Sequence, residues 1–158
     1  MPNCACTVAV LIALVSLPVW AGPALAQRPE IFQAGRAEFG SDLAAGGFDV
    51  VAYQTQSQAV PGAGQFRVRW KEAEWRFASL QNRDLFVANP DRYAPQFGGW
   101  CAFAVAAGAK ATSDPRLFDV VNGRLFLNQS PGTQDSWRRD QAAMIQRGDQ
   151  NWPRVIRQ

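Results

Sequence analysis

The chain has 158 residues, a formal net charge of +3 and no histidine. This length suits one ordinary domain with a single hydrophobic core. Without histidine, the chain cannot build a Ser-His-Asp or Cys-His nucleophile, a histidine-containing zinc site or a haem site with a proximal histidine. Basic and acidic residues alternate along the chain, so no basic block favours nucleic acid or an anionic lipid surface.

Residues 1–26 have the features of a targeting segment. They contain no Lys, Arg, Asp or Glu and include an apolar run from Val8 to Ala21. That run is shorter than the roughly 18–20 residues of a spanning helix, and Ala24-Leu25-Ala26 fits an A-x-A cleavage site. We therefore predict a signal peptide and a periplasmic or secreted mature chain that does not span the membrane. A short buried N-terminal helix is the alternative, and it should carry polar positions on one face.

Cleavage after this segment has a consequence for the cysteines. Cys4 and Cys6 would be removed, and Cys101 would be the single cysteine of the mature chain. An intramolecular disulfide is then impossible, despite export to an oxidising compartment. A lone thiol in such a protein is buried, metal-bound or reactive, and burial is the usual state.

The mature chain begins with an extended lead-in over residues 27–45, followed by a domain over residues 46–154. Within the lead-in, Glu30 to Ala37 could form a short helix that glycine weakens. The run Gly47 to Tyr53 is mostly apolar and fits either a buried strand or a short helical turn. Asp49 within this run either caps a local turn through backbone N–H groups or lines a site.

Two hairpins are predicted from alternation and turn residues. Gln65 to Lys71 alternates apolar and basic residues, which is typical of a half-buried strand with its basic row (Arg67, Arg69 and Lys71) in solvent. It should pair with Glu74–Phe77 through a turn at Glu72-Ala73. The second hairpin flanks Asn122-Gly123, a dipeptide that adopts positive φ cheaply.

Helices are predicted after each hairpin. Ser79 can cap a helix that runs to about Ala88, and Asn89-Pro90 can open a second short turn. Ser130-Pro131 starts the last helix, whose apolar face carries Trp137, Met144 and Ile145. Gly148 and Pro153 are predicted to end it.

These elements predict an α+β fold: a small antiparallel sheet from two hairpins, packed with short helices and a C-terminal helix. The sequence contains no repeating βαβ unit and no visible internal repeat.

Several segments together resemble one known family. They are Gly47–Tyr53, Trp75–Ser79, Asn89–Tyr93, Ala94–Ala102, Asp119–Asn128 and Asn151–Pro153. In this order the segments resemble the YHS-domain family, and in particular its small exported members, over roughly residues 46–154. The resemblance implies a suspected metal-binding role, because such domains also occur attached to heavy-metal transport ATPases and other metal-related proteins. Metal-associated members use several cysteines, whereas this mature chain keeps one.

The stretch Tyr93–Phe103 is the candidate site, because it places Cys101 beside Gly98-Gly99. The first hypothesis is a binding module for a soft metal such as copper, since a thiolate favours Cu(I). The ligands would be Cys101 with Asp49, Tyr53 or Met144, and two chains of a homodimer could share the metal.

The second hypothesis is a small-ligand or protein-interaction module in which the cysteine is only structural. Its pocket would lie at Gly98, Gly99 and Trp100, where glycines let backbone approach a ligand. An enzyme using Asp49, Cys101 or Lys110 is the third hypothesis. No motif spacing supports the third, and we predict a non-catalytic protein.

Overall fold

The computed structural model describes residues 30–34 and 42–158. The predicted signal peptide, with Cys4 and Cys6, lies outside the described residues. Within the described part, no helix has the length and apolar character needed to cross a membrane.

The described residues form an α+β fold, which confirms the predicted class. The strands are β1 (Gln33–Ala34), β2 (Leu43–Ala44), β3 (Ala63–Trp70), β4 (Ala73–Phe77), β5 (Asp114–Val121) and β6 (Arg124–Asn128). The α-helices are α1 (Val50–Thr55), α2 (Leu80–Ala88), α3 (Pro90–Tyr93), α4 (Ala102–Ala106), α5 (Pro131–Arg139) and α6 (Gln141–Val155). Two 3₁₀ turns precede α1 and α4, at Ala45–Gly47 and Gln96–Gly99.

The two predicted hairpins exist, but they lie in separate sheets. One sheet has the order β1-β2-β4-β3, and β5 and β6 form the other. Strand β2 runs parallel to β4 through the pair Leu43 and Glu74. Because β2 and β3 occupy both edges of β4, the second hairpin has no edge of β4 to pair with.

Apolar side chains form two clusters rather than one core. The first core contains Ile31, Tyr53, Trp75, Phe77 and Phe86, together with Leu125 and Leu127 of β6. The second core contains Phe97, Val105, Phe126, Trp137 and Val155, with Met144, Ile145 and Trp152 packed against it. Ile31 is almost fully buried, so the described part of the lead-in belongs to the folded unit.

Local signals at the turns and caps are largely confirmed. Ser79 and Asn89 accept hydrogen bonds from the backbone N–H groups of Asn82 and Arg92, at the starts of α2 and α3. Ser130 forms a capping box with Thr133 at the start of α5. These side chains satisfy N–H groups that have no partner within the helix.

Three local predictions need correction. The first hairpin turns at Lys71-Glu72, where φ is +47° and +63°, rather than at Glu72-Ala73, because Ala73 is buried and pairs with Trp70. Gln33–Ala34 is a strand paired with β2 instead of a helix.

The third correction concerns the last helix, which is broken at Asp140 into α5 and α6. Gly148 does not end α6 but lies inside it, where a Cβ would approach within 2.6 Å of the Phe97 ring. Pro153 also lies inside α6, close to its C-terminal end.

The fold contains an internal repeat, contrary to the expectation from the sequence. We call residues 45–88 the first half and residues 97–139 the second half. Each half has a left-handed Gly-Gly turn, a short helix, an eight-residue strand, a five-residue strand and a nine-residue helix capped by serine. The two halves therefore adopt the same supersecondary unit in succession.

The correspondence extends to strand register and to core aromatics. In the first hairpin Ala63 faces Phe77 and the register then shifts before Arg67; in the second, Asp114 faces Asn128 and the shift precedes Phe118. The centroids of Trp75 and Phe86 lie 5.0 Å apart in the first half. In the second half, Phe126 and Trp137 at the equivalent positions are 5.2 Å apart. Tryptophan is on the strand and phenylalanine on the helix in the first half, and the two are exchanged in the second half.

Candidate functional site

Asp49 is buried and caps α1. Its Oδ1 accepts from the backbone N–H groups of Val51 (2.9 Å) and Ala52 (3.2 Å). Its Oδ2 accepts from the Ala78 N–H (2.8 Å) and the Asn82 side-chain amide (2.7 Å). The local-cap interpretation of Asp49 is therefore confirmed, since four donors within the protein surround the carboxylate.

Tyr53 lies in the first core, three residues into α1. Its hydroxyl donates to the Pro115 carbonyl oxygen at 2.7 Å. Burial, reinforced by the carboxylates of Asp114 and Asp49, raises the pKa of Tyr53 well above its ordinary value. The phenol therefore stays protonated and holds α1 against the start of β5.

Cys101 occupies the position in the second half that Asp49 occupies in the first. It immediately precedes α4 and is 1 % exposed. Its Sγ lies 3.8 Å from Asn128 Oδ1, and the same oxygen accepts from the Phe103 N–H at 3.2 Å. The thiol is thus buried at a helix cap, and the acceptor for the helix N–H comes from β6.

The residues predicted as metal ligands are engaged with different partners. Tyr53 belongs to the first core, whereas Met144 packs on the second, where its sulfur accepts from the Arg147 guanidinium at 3.4 Å. Residues 30–34 and 42–158 contain no group of three or more Cys, Asp or Glu that could hold a metal ion. Copper binding therefore stays a prediction.

The Gly98-Gly99 pair serves close backbone packing. Both glycines have positive φ, and a Cβ on Gly98 would collide with the Glu30 carbonyl oxygen. The Gly98 carbonyl accepts from the Phe32 N–H at 2.7 Å, which ties the lead-in to this turn. Trp100 follows half-buried, with its ring centroid 4.8 Å from that of Phe32.

A pocket of about 220 Å³ opens beside this turn. Its walls come from the lead-in, the end of β3, α3, the segment Ala94–Gly98 and the last part of α6. Gly98 is part of the lining, whereas Gly99, Trp100 and Cys101 are not. The aromatic lining residues are Trp70, Phe97 and Trp152, and the charged ones are Glu30, Lys71, Asp91 and Asp149.

An ion-pair network surrounds the pocket. Lys71 Nζ lies 2.8 Å from Glu30 Oε1 and 3.9 Å from Asp91 Oδ1. It also lies 4.5 Å from the centroid of the Trp70 ring. At another lining residue, Asp149, the Arg124 guanidinium binds both carboxylate oxygens, at 2.6 and 3.0 Å.

Sequence reasoning missed most of this site. The alternation predicts Lys71 in a solvated basic row, and Lys71 is exposed. Its side chain nevertheless lies against the Trp70 ring at the pocket. Trp152 and Asp149 come from α6, far along the chain. No periodicity or spacing in the sequence links these segments.

The two halves have positive φ at equivalent positions but fill these positions with different residues. At the hairpin turn the second half uses Asn122-Gly123, which suits positive φ, whereas the first half uses Lys71-Glu72. At the Gly-Gly turn the leading left-handed residue is Ala45 in the first half and Phe97, with φ +55° and ψ +34°, in the second. Positive φ is unfavourable for a bulky side chain, and both Lys71 and Phe97 line the pocket.

Comparisons with known proteins add no assignment. A scan of protein-family models, a search of curated proteins and a search of solved structures each find no match to this chain.

Proposed function

We propose that this protein is an exported, non-catalytic binding module of the YHS type, that its ligand is a small molecule, and that Cys101 is structural. The ligand site is the pocket between Trp70, Phe97 and Trp152. One observation carries the proposal: two residues with unfavourable backbone conformations, Lys71 and Phe97, come from different turns and line the same pocket. Such strain is concentrated at ligand sites in proteins.

The positions of the reactive groups support a role without chemistry. Asp49 and Cys101 are buried at helix caps and do not line the pocket. Lys110, the third candidate, donates to the Ile156 carbonyl oxygen at 3.0 Å and lies over the Trp100 ring. Each group therefore has a structural partner that accounts for its position.

The copper hypothesis competes with this proposal through Cys101. A metal at that thiol would have to replace the contact with Asn128 inside a packed region, where the Cys101 side chain is 1 % exposed. If Cys101 is structural, Cys101→Ala should leave Cu(I) affinity unchanged in a competition with a chelator. A loss of Cu(I) affinity in that variant would support the metal hypothesis instead.

The pocket can be tested by NMR on the tryptophan indole signals. In a screen of small molecules, binding should shift the indole N–H signals of Trp70 and Trp152 and leave that of Trp137, which is fully buried in the second core, unchanged.

Blocking the pocket provides the second arm of this test. Asp91→Trp places a large side chain at a lining position that is 83 % exposed, so the variant should fold and lose binding. Asp84→Trp is the matched control, because Asp84 is an exposed aspartate on the neighbouring helix and does not line the pocket. Equal binding to both variants, or no small molecule that shifts Trp70 and Trp152, would contradict the proposal.

A further inference from the structure

The Lys71 ammonium group occupies a cation site inside the pocket. It lies over the face of the Trp70 ring at 4.5 Å and between the carboxylates of Glu30 and Asp91. An aromatic face combined with carboxylates is the arrangement that binds organic ammonium ions, because the ring quadrupole and the negative charges both attract the cation.

From this arrangement we propose that the ligand of the pocket is a small organic ammonium ion, and that the Lys71 side chain occupies its place in the free protein. This inference rests on the proposed function, which makes the pocket the ligand site. It adds the chemical class of the ligand and a competitor built into the chain.

The charge of the lining favours a cation over an anion. The lining carries the carboxylates of Glu30, Asp91 and Asp149 and the ammonium group of Lys71. Because Arg124 neutralises Asp149, the pocket keeps an excess of one negative charge, although the chain as a whole carries a net charge of +3. An anionic ligand would meet these carboxylates, and like charges in one site repel. The volume of about 220 Å³ is below the roughly 300–1,000 Å³ of pockets for drug-sized ligands, which indicates a ligand of few atoms.

Lys71 can leave its place because its contacts are weak. Its side chain is 38 % exposed, and its partner Glu30 is similarly exposed. Ion pairs at such positions contribute little to stability and are screened by salt. The long lysine side chain can therefore extend into solvent when a ligand takes the site between Trp70 and the carboxylates.

A reciprocal exchange between the two hairpin turns tests the inference. Lys71→Asn removes the competing ammonium and installs the residue that the second half has at the same turn position, where positive φ suits asparagine. Asn122→Lys is the matched control, because it places a lysine in the equivalent turn, and Asn122 does not line the pocket. Both changes leave the residues of the two cores intact.

Binding is measured by titration of the Trp70 and Trp152 indole signals at constant ionic strength. The probes are choline, its uncharged isostere 3,3-dimethylbutan-1-ol, and acetate. We expect Lys71→Asn to bind choline about tenfold more tightly than the unmodified protein, because the site is no longer self-occupied. The uncharged isostere should bind about tenfold more weakly than choline, acetate should not bind, and Asn122→Lys should match the unmodified protein.

Several results would overturn the inference. Equal affinity for choline and its isostere would contradict an ammonium ion as the ligand, while the pocket would remain the ligand site. Weaker choline binding by Lys71→Asn would show that Lys71 contributes to ligand binding instead of occupying the ligand position in the free protein. Absence of choline binding in both proteins would overturn the inference alone if other small molecules shift Trp70 and Trp152, and the proposed function as well if none do.

Discussion

The two halves of the molecule build the same helix cap in different ways. In the first half Asp49 alone supplies the acceptors for the N–H groups of α1 and also binds Asn82. In the second half Cys101 stands at the cap position, and Asn128 from β6 supplies the acceptor for Phe103. A small, weakly polar side chain fits at this cap position because Asn128 does the capping.

The halves also differ in how their turns tolerate positive φ. The second hairpin has the Asn-Gly pair that such a turn favours, and its Gly123 has nothing within 4 Å of an added Cβ. The first hairpin retains Lys71-Glu72 at the same backbone angles. Of these two residues Lys71 lines the pocket and Glu72 does not.

The largest expected effect comes from Asp49→Ala. This change removes the side-chain acceptor of the buried Val51 N–H and Asn82 amide and of the part-buried Ala78 N–H. The Ala52 N–H keeps the Asp49 backbone oxygen as acceptor. We expect a loss of about 3–5 kcal/mol in the free energy of unfolding, measured by urea denaturation. Asp84→Ala, at an exposed aspartate, is the control and should change stability by less than about 1 kcal/mol. Similar losses for the two variants would contradict the role of Asp49 as the cap.

Gly98→Ala should have the next largest effect. Its φ of +60° disfavours alanine, and the added Cβ would collide with the Glu30 carbonyl oxygen. We expect a loss of about 3 kcal/mol, against about 1 kcal/mol for Gly123→Ala, where positive φ is the only penalty. Thermal unfolding of the two variants measures the difference. Equal melting temperatures would contradict the close contact between Gly98 and the Glu30 carbonyl oxygen.

In the second half Asn128 caps α4 in place of the N-cap residue Cys101. We therefore expect a larger loss of stability from changing Asn128 than from changing Cys101. Asn128→Ala removes the acceptor of the part-buried Phe103 N–H and should cost about 2 kcal/mol. Cys101→Ser keeps a small donor toward Asn128 and places a favoured N-cap residue before α4, so it should change stability by less than about 1 kcal/mol. Urea denaturation of both proteins checks the order; a smaller loss for Asn128→Ala than for Cys101→Ser would contradict the capping role of Asn128.

The smallest expected effect is a gain from Glu72→Gly. Glycine adopts the φ of +63° at this position without strain, and the backbone oxygen that accepts from Gln33 is retained. We expect stabilisation by about 1 kcal/mol, seen as a higher melting temperature. The reciprocal change Gly123→Glu should destabilise by a similar amount. Equal shifts of the melting temperature in Glu72→Gly and Gly123→Glu would mean that the two turns are not equivalent.

The features that sequence reasoning predicted correctly are local. Ser79, Asn89 and Ser130 act as caps because each needs only N–H groups two or three residues away. Asn122-Gly123 forms a hairpin turn because its two residues accept positive φ. The turn at Lys71-Glu72 was misplaced by one residue, since neither residue signals positive φ and Ala73 is drawn into the first core.

Less of the candidate site could be predicted. Gly98 and the segment around it lie at the pocket, but Gly99, Trp100 and Cys101 pack elsewhere. Trp70, Lys71 and Trp152 contribute to the pocket because their elements meet only after the chain has folded. The spacing of Gly148 indicated a helix end, and only its contact with the Phe97 ring explains a glycine within α6.

By itself, the sequence determined the α+β class, the two hairpins and the starts of α2, α3 and α5, because these depend on hydrogen bonds and backbone angles within a few residues. Tertiary structure decided the rest: the repeat of the two halves, the burial of Cys101 beside Asn128, and the pocket around Lys71. The repeat is not visible in the sequence because equivalent positions, such as Asp49 and Cys101, share backbone geometry and burial but carry different side chains. The pocket is hidden because its charges and rings come from distant segments that only long-range packing brings together.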